Sequence, residues 1–143
     1  MLLIFSILRY LFNVAYGVGK AGCDRMAADC AFELRKSNVA MISLWPGPVK
    51  TEYISENLDK SESKMKDVFE KGESIEFAGK VVAQLAAETN IMDRTGKIIN
   101  TSDVAKQYGI VDIDGQIPID FRWTQMKKTN ENYNNISDKS KLW

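Results

Sequence analysis

The pattern of apolar and polar positions predicts strands that alternate with helices. Short apolar runs are typical of strands that a parallel sheet covers on both faces. Longer segments place apolar residues at steps of three and four, which is the period of a helix with one buried face. The predicted strands are 2–8, 39–45 and 96–102, and the predicted helices are 14–36 and 74–88.

Each predicted helix carries an apolar stripe, while the charged stretch 51–74 predicts only one or two short helices. Ser74 is a suitable N-cap for the second helix. The glycines at 17, 19 and 22 weaken the first helix, and they make sense where another backbone or a flat ligand comes close. The two stripes are Cys23, Met26, Ala27, Cys30, Ala31 and Leu34, and Phe77, Val81, Val82, Leu85 and Ala86.

The order strand, helix, strand, helix, strand predicts an α/β fold. This order is that of a parallel sheet with covering helices, and it makes up about half of a doubly wound sheet. We expect residues 1–120 to form this partial domain. Residues 121–143 are polar and low in aliphatic side chains, and we expect a mobile tail there.

The composition excludes several kinds of catalytic and metal-binding site. The chain of 143 residues has no histidine, which excludes Ser-His-Asp and Cys-His catalysis and histidine-ligated metals, and we predict no metal site. Lysine plus arginine and aspartate plus glutamate number 19 each, so no net charge favours nucleic acid. Cys23 and Cys30 are two helical turns apart, too far for a disulfide, and we expect free thiols in a reducing compartment.

The apolar start, residues 1–12, has three interpretations. A buried strand suits its length, a short membrane anchor is an alternative, and a start that is not native to the fold is the third. It lacks the basic residues and cleavage site of a signal peptide. We expect a cytoplasmic location and leave contact with the endoplasmic reticulum open.

Two short motifs stand out in the sequence. Y-x-x-x-K, here Tyr16 and Lys20, opens the first helix. P-G-x-V-x-T follows the next strand and supplies Pro46, Gly47, Val49 and Thr51. Y-x-x-x-K alone is a weak signal, whereas both motifs in this order, separated by a helix and a buried strand, form a much stronger one. Together they resemble the short-chain dehydrogenase/reductase family, and the resemblance implies the C-terminal half of a Rossmann-like doubly wound parallel sheet, without the N-terminal half.

The resemblance implies an oxidoreductase that uses NAD or NADP, with NADP favoured, on small carbonyl compounds or alcohols. Tyr16 and Lys20 share one helical face, so the ammonium is expected to lower the pKa of the phenol. The family role of Tyr16 is general acid/base, and that of Lys20 is also to hold the cofactor ribose. The loop at Pro46, Gly47, Val49 and Thr51 would line the cofactor site, and 51–74 would be the substrate loop.

The resemblance also implies features that this sequence does not match. A serine belongs 13 residues before the tyrosine, where Leu3 stands, and the glycine-rich nucleotide-binding turn is absent from the sequence. We therefore expect a truncated form with little activity alone. An alternative is a non-catalytic chain that associates with a full-length relative through helix 14–36, and homo-oligomers through the same helix are expected.

Overall fold

The computed structural model describes residues 14–57 and 63–120. The predicted strand 2–8, the predicted tail 121–143 and Leu3 lie outside the described residues. The described elements are α1 (Val14–Leu34) with a 3-10 turn (Arg35–Ser37), β1 (Ser43–Trp45), α2 (Glu52–Asn57), α3 (Ser63–Glu70), α4 (Ile75–Ala86), a 3-10 turn (Ile91–Arg94), β2 (Ile98–Asn100) and α5 (Thr101–Tyr108).

The described strands form a small parallel sheet. β1 pairs with β2 in a register that sets Ser43 opposite Ile98 and Trp45 opposite Asn100. The strand–helix–strand order of a parallel crossover is thus confirmed for this part of the chain. Helices with a two-stranded parallel sheet are compatible with part of a Rossmann-like α/β fold.

The third predicted strand was too long. Only Ile98–Asn100 are extended, and Thr101 begins α5, a helix that the sequence did not predict. The signals of a helix were present, because Asp103 lies in its first turn, Lys106 in its last, and Gly109 ends it with a φ of 66°. The second strand is also shorter than predicted, since it begins at Ser43 rather than at 39.

The main core lies between α4 and α5. Ser74 caps α4 as predicted, because its Oγ accepts a 3.1 Å hydrogen bond from the Phe77 amide. The inner face of α4 differs from the prediction, since Val82 is 52% exposed and Ala86 is exposed. The stripe follows steps of four, and the buried cluster is Phe77, Val81 and Leu85 with Val104 and Ala105.

A second, smaller cluster joins α1 to the sheet. Trp45 is buried and packs against Cys23, as expected of a core residue. On α1, Ala27 and Ala31 are buried as predicted, but Met26 is 53% exposed and belongs to the opposite side of the helix. Cys23 and Cys30 are free thiols, as predicted.

The glycines of α1 contact nothing close by. Among the described residues, no atom lies within 4 Å of where a Cβ would stand on Gly17, Gly19 or Gly22. The close backbone approach that these glycines indicated is therefore not made by the described part of the chain. Within that same part, no helix is long and apolar enough to cross a bilayer.

Candidate active site

Asp24 fixes the position of α1 on the sheet. Its Oδ1 accepts hydrogen bonds from Ser43 Oγ at 2.5 Å and from Trp45 Nε1 at 2.8 Å. Two turns further along α1, Ala31 Cβ lies 3.2 Å from where a Cβ would stand on Gly96, which precedes β2. The helix therefore runs antiparallel to the strands, from their carboxyl ends towards their amino ends.

This direction places the Y-x-x-x-K motif at the carboxyl edge of the sheet. With a rise of about 1.5 Å per residue, Lys20 lies about 6 Å and Tyr16 about 12 Å beyond Asp24 in that direction. The loop that follows β1 leaves the sheet at the same edge, beginning at Pro46. Ligands of open α/β sheets bind at this edge.

Lys20 is a buried ammonium group with an unusual set of neighbours. Its side chain is 5% exposed, and its Nζ lies 5.4 Å from the centroid of the Tyr16 ring. Among the described residues, Nζ has no hydrogen-bond partner. An ammonium carries three donors, so a group with acceptor oxygens would be strongly favoured here.

The pKa of Tyr16 shifts in the direction opposite to the one expected from the motif. Burial raises the pKa of the Tyr16 hydroxyl above its usual value, and the nearby ammonium does not reverse this. Burial also lowers the pKa of Lys20, while Cys23 and Asp24 act in the other direction. The phenol is therefore protonated at neutral pH.

The loop after β1 is held inside the protein. Pro46, Gly47 and Val49 are buried, and Thr51 is half-buried. Thr51 Oγ1 accepts a 3.3 Å bond from the Ile54 amide and so caps α2. Its hydroxyl hydrogen is not used by that bond, and it can donate to an acceptor at the sheet edge.

Two residues of this region were missed by sequence reasoning. Asp24 belongs to neither motif, yet it accepts hydrogen bonds from two residues of β1. Its position, one turn after Lys20 on the same face, was the signal. Glu73 is 2% exposed and accepts a bond from the Gly47 amide, yet it closes a charged stretch that predicts exposure. No sequence signal marked it.

Lys20 and the loop after β1 carry groups that fit a nicotinamide cofactor. The Lys20 ammonium has no hydrogen-bond partner in the described part of the chain, and it suits the two hydroxyl acceptors of a ribose. The backbone of Pro46, Gly47 and Val49 comes to the same edge, where a planar amide can meet it. Within the described residues, no cluster of three or more acidic, cysteine or histidine side chains offers a metal site.

The sequence of the chain is similar to that of two curated proteins. It is 47% identical over 121 residues to Dehydrogenase/reductase SDR family member 1 of Mus musculus and 45% identical over 121 residues to the protein of the same name in Homo sapiens. The resemblance to the short-chain dehydrogenase/reductase family is confirmed. Each match covers 80% of this chain, which spans 39% of the length of either relative. No protein-family model matches the chain.

Proposed function

We propose that this chain contributes the catalytic helix and the nicotinamide loop of an NAD(P)-dependent short-chain dehydrogenase/reductase. Its substrates are small carbonyl compounds or alcohols, and NADP is the favoured cofactor. One observation carries the proposal: the buried Nζ of Lys20, which has no hydrogen-bond partner within the described residues, lies 5.4 Å from the Tyr16 ring centroid, at the sheet edge that also carries the Pro46 loop. A cytoplasmic location, with endoplasmic reticulum contact left open, belongs to the same proposal.

Tyr16 acts as the general acid in carbonyl reduction. Because burial raises its pKa, the hydroxyl keeps its proton at neutral pH and can give it to the carbonyl oxygen of a substrate. The phenolate left behind is stabilised by the Lys20 ammonium beside the ring. In alcohol oxidation the same oxygen takes the proton back.

Lys20 and the loop at Pro46, Gly47, Val49 and Thr51 hold the cofactor. The nicotinamide, when bound, supplies or accepts the hydride. Lys20 would donate to the ribose hydroxyls, the loop backbone would bind the carboxamide, and the Thr51 hydroxyl would bind the phosphates. Burial of these groups keeps water away from the reacting atoms.

The test supplies a nucleotide-binding half. The chain is expressed behind the nucleotide-binding half of a short-chain dehydrogenase/reductase, with Leu3→Ser, and oxidation of NADPH and NADH is followed with a panel of aldehydes and ketones. Tyr16→Phe should lower turnover by about 10²- to 10⁴-fold and leave cofactor binding nearly unchanged. Lys20→Met should weaken both turnover and cofactor binding.

Tyr108→Phe is the matched control, since Tyr108 lies at the exposed end of α5, outside the proposed site, and should tolerate the change. Full turnover of the Tyr16→Phe enzyme would contradict the role of Tyr16. Without an active restored enzyme, the reductase proposal would fail as a whole.

A second function is supported by the exposed side of α1. Val14, Val18 and Phe32 are 69%, 66% and 83% exposed, and 18 residues make five helical turns, so they lie on one side. A helix with such a side suits association with another subunit. In this alternative, the chain is a non-catalytic partner of a full-length relative or of a second copy of itself.

A co-purification experiment decides this alternative. The chain is expressed with a tagged full-length Dehydrogenase/reductase SDR family member 1, and the complex is quantified by size-exclusion chromatography. Phe32→Glu should abolish the complex, and Glu33→Gln, at the neighbouring exposed position, should not. A lack of complex with the unaltered chain would remove the alternative.

A further inference from the structure

Glu73 connects three segments that lie far apart in the sequence. Its carboxylate Oε2 accepts a 3.1 Å bond from the Gly47 amide, in the loop after β1. The same oxygen accepts a 2.9 Å bond from Thr101 Oγ1, at the start of α5. Glu73 itself immediately precedes Ser74, the N-cap of α4.

The backbone of Glu73 holds the same loop at two more points. Its amide donates a 2.8 Å bond to the Pro48 carbonyl, and its carbonyl accepts a 2.9 Å bond from the Lys50 amide. Residues Val49 and Glu73 thus form a parallel bridge. In this pattern the residue opposite Glu73, which is Val49, turns its own N–H away from residue 73.

The loop after β1 has few backbone N–H donors, so the direction of each one matters for what the loop can bind. Pro46 and Pro48 carry no N–H, so Gly47 and Val49 hold the backbone donors of the Pro-Gly-Pro-Val segment. Glu73 engages the Gly47 donor with its side chain. It also sets, through the bridge, the direction in which the Val49 donor points.

A buried carboxylate is a costly way to hold a loop. Glu73 is 2% exposed, and its Oε1 has no hydrogen-bond partner among the described residues. Burial raises the pKa of Glu73, and Asp112 adds to this, while the bonds from Thr101 and Gly47 oppose it. Buried groups that lower the stability of the fold in this way concentrate where a geometry serves function.

We propose that Glu73 is a positioning residue that fixes the conformation of the Pro46–Val49 loop so that the Val49 N–H faces the nicotinamide carboxamide. This inference rests on the proposed function. Glu73 touches neither cofactor nor substrate, and it acts through Gly47 and Val49. A shorter acid cannot reach both Gly47 and Thr101, whereas glutamine keeps the length and an acceptor oxygen.

The first test uses the chain itself and needs no cofactor. Amide hydrogen exchange at Gly47 is measured by NMR. Glu73→Asp should speed this exchange by about tenfold or more, because the buried hydrogen bond from the Gly47 amide to a charged group is lost. Glu73→Gln should exchange like the unaltered chain, and so should Glu76→Ala, a change of an exposed acid on the next turn.

The second test uses the restored reductase and separates KM from kcat. Glu73→Asp should raise the cofactor KM about tenfold and lower kcat less, because the displaced loop weakens the carboxamide contact before it affects proton transfer. Glu73→Gln should restore both constants. Thr101→Val removes one partner of Oε2 while keeping the Gly47 bond, and it should give a smaller rise in KM.

The two tests distinguish failure of the positioning role from failure of the proposed function. Unchanged exchange at Gly47 in a folded Glu73→Asp chain would overturn the positioning role. So would an unchanged cofactor KM in the folded Glu73→Asp enzyme. If the restored but unaltered enzyme binds no cofactor, the proposed function fails, and with it the cofactor part of this inference. The exchange result would still decide whether Glu73 fixes the loop.

Discussion

The indole N–H of Trp45 donates a 2.8 Å hydrogen bond to Asp24 Oδ1, and this bond docks α1 on the end of β1. It decides which end of the helix meets which edge of the sheet. Through it, the Tyr16–Lys20 turn and the Pro46 loop share the carboxyl edge. The two motifs are therefore joined by a side chain that belongs to neither.

Asp24→Ala should destabilise the chain by about 1–3 kcal/mol, because it leaves the Trp45 N–H and the Ser43 hydroxyl without their acceptor. Urea unfolding followed by circular dichroism measures this. Asp29→Ala is the control, since Asp29 pairs with Arg25 on the exposed side of α1, and its loss should cost less than about 0.5 kcal/mol. Equal losses in the two variants would contradict the docking role of Asp24.

Lys20→Met should make the chain more stable while removing its proposed function. The buried ammonium lacks a hydrogen-bond partner within the described residues, and methionine fills similar space without charge. We expect a gain of about 1–3 kcal/mol in the free energy of unfolding at pH 7. Lys36→Met, at an exposed position, should change it by less than about 0.5 kcal/mol. Lower stability of Lys20→Met would show that the ammonium has a stabilising partner.

Some of this geometry could be predicted from the sequence. Apolar runs and helical periods located α1, α4 and both described strands, because burial of apolar surface dictates them. The two motifs predicted the candidate site residues. The sequence did not show that Asp24 and Glu73 reach across to other segments, since their roles depend on contacts between residues 21 to 28 positions apart. α5 was missed because β2 passes directly into it at Thr101.

Two glycines should respond in opposite ways to alanine. Gly22 lies in an exposed part of α1, with no described atom within 4 Å of a new Cβ, so Gly22→Ala should stabilise the chain by about 0.5–1 kcal/mol. At Gly72 a Cβ would lie 2.1 Å from the Pro48 carbonyl oxygen, which is backbone and cannot turn away. Gly72→Ala should destabilise by about 1–3 kcal/mol. Thermal unfolding distinguishes them, and a destabilised Gly22→Ala would indicate a close neighbour on that side of α1.

The raised pKa of Glu73 predicts how stability changes with pH. A carboxyl whose pKa is higher in the folded state contributes stability below its ordinary value of 4.5, and this contribution is lost as pH rises through the raised value. Glu73→Gln cannot ionise and avoids this loss. The stability of Glu73→Gln minus that of the unaltered chain should therefore grow between pH 4 and pH 7, as measured by urea unfolding at each pH.

The pKa of the neighbouring Asp112 shifts in the direction opposite to that of Glu73. Burial alone would raise the pKa of Asp112, but hydrogen bonds from Ser74 and Ile113 outweigh it and the pKa is lowered. Asp112 therefore stabilises the fold above its ordinary pKa of 3.8 and loses this effect as pH falls. Because its pKa is lowered, Asp112 stays charged between pH 4 and pH 7 in both folded chains, so the growth of the difference over this range reports the ionisation of Glu73. A difference that stays flat or shrinks towards pH 7 would mean that Glu73 is charged and satisfied in the folded chain.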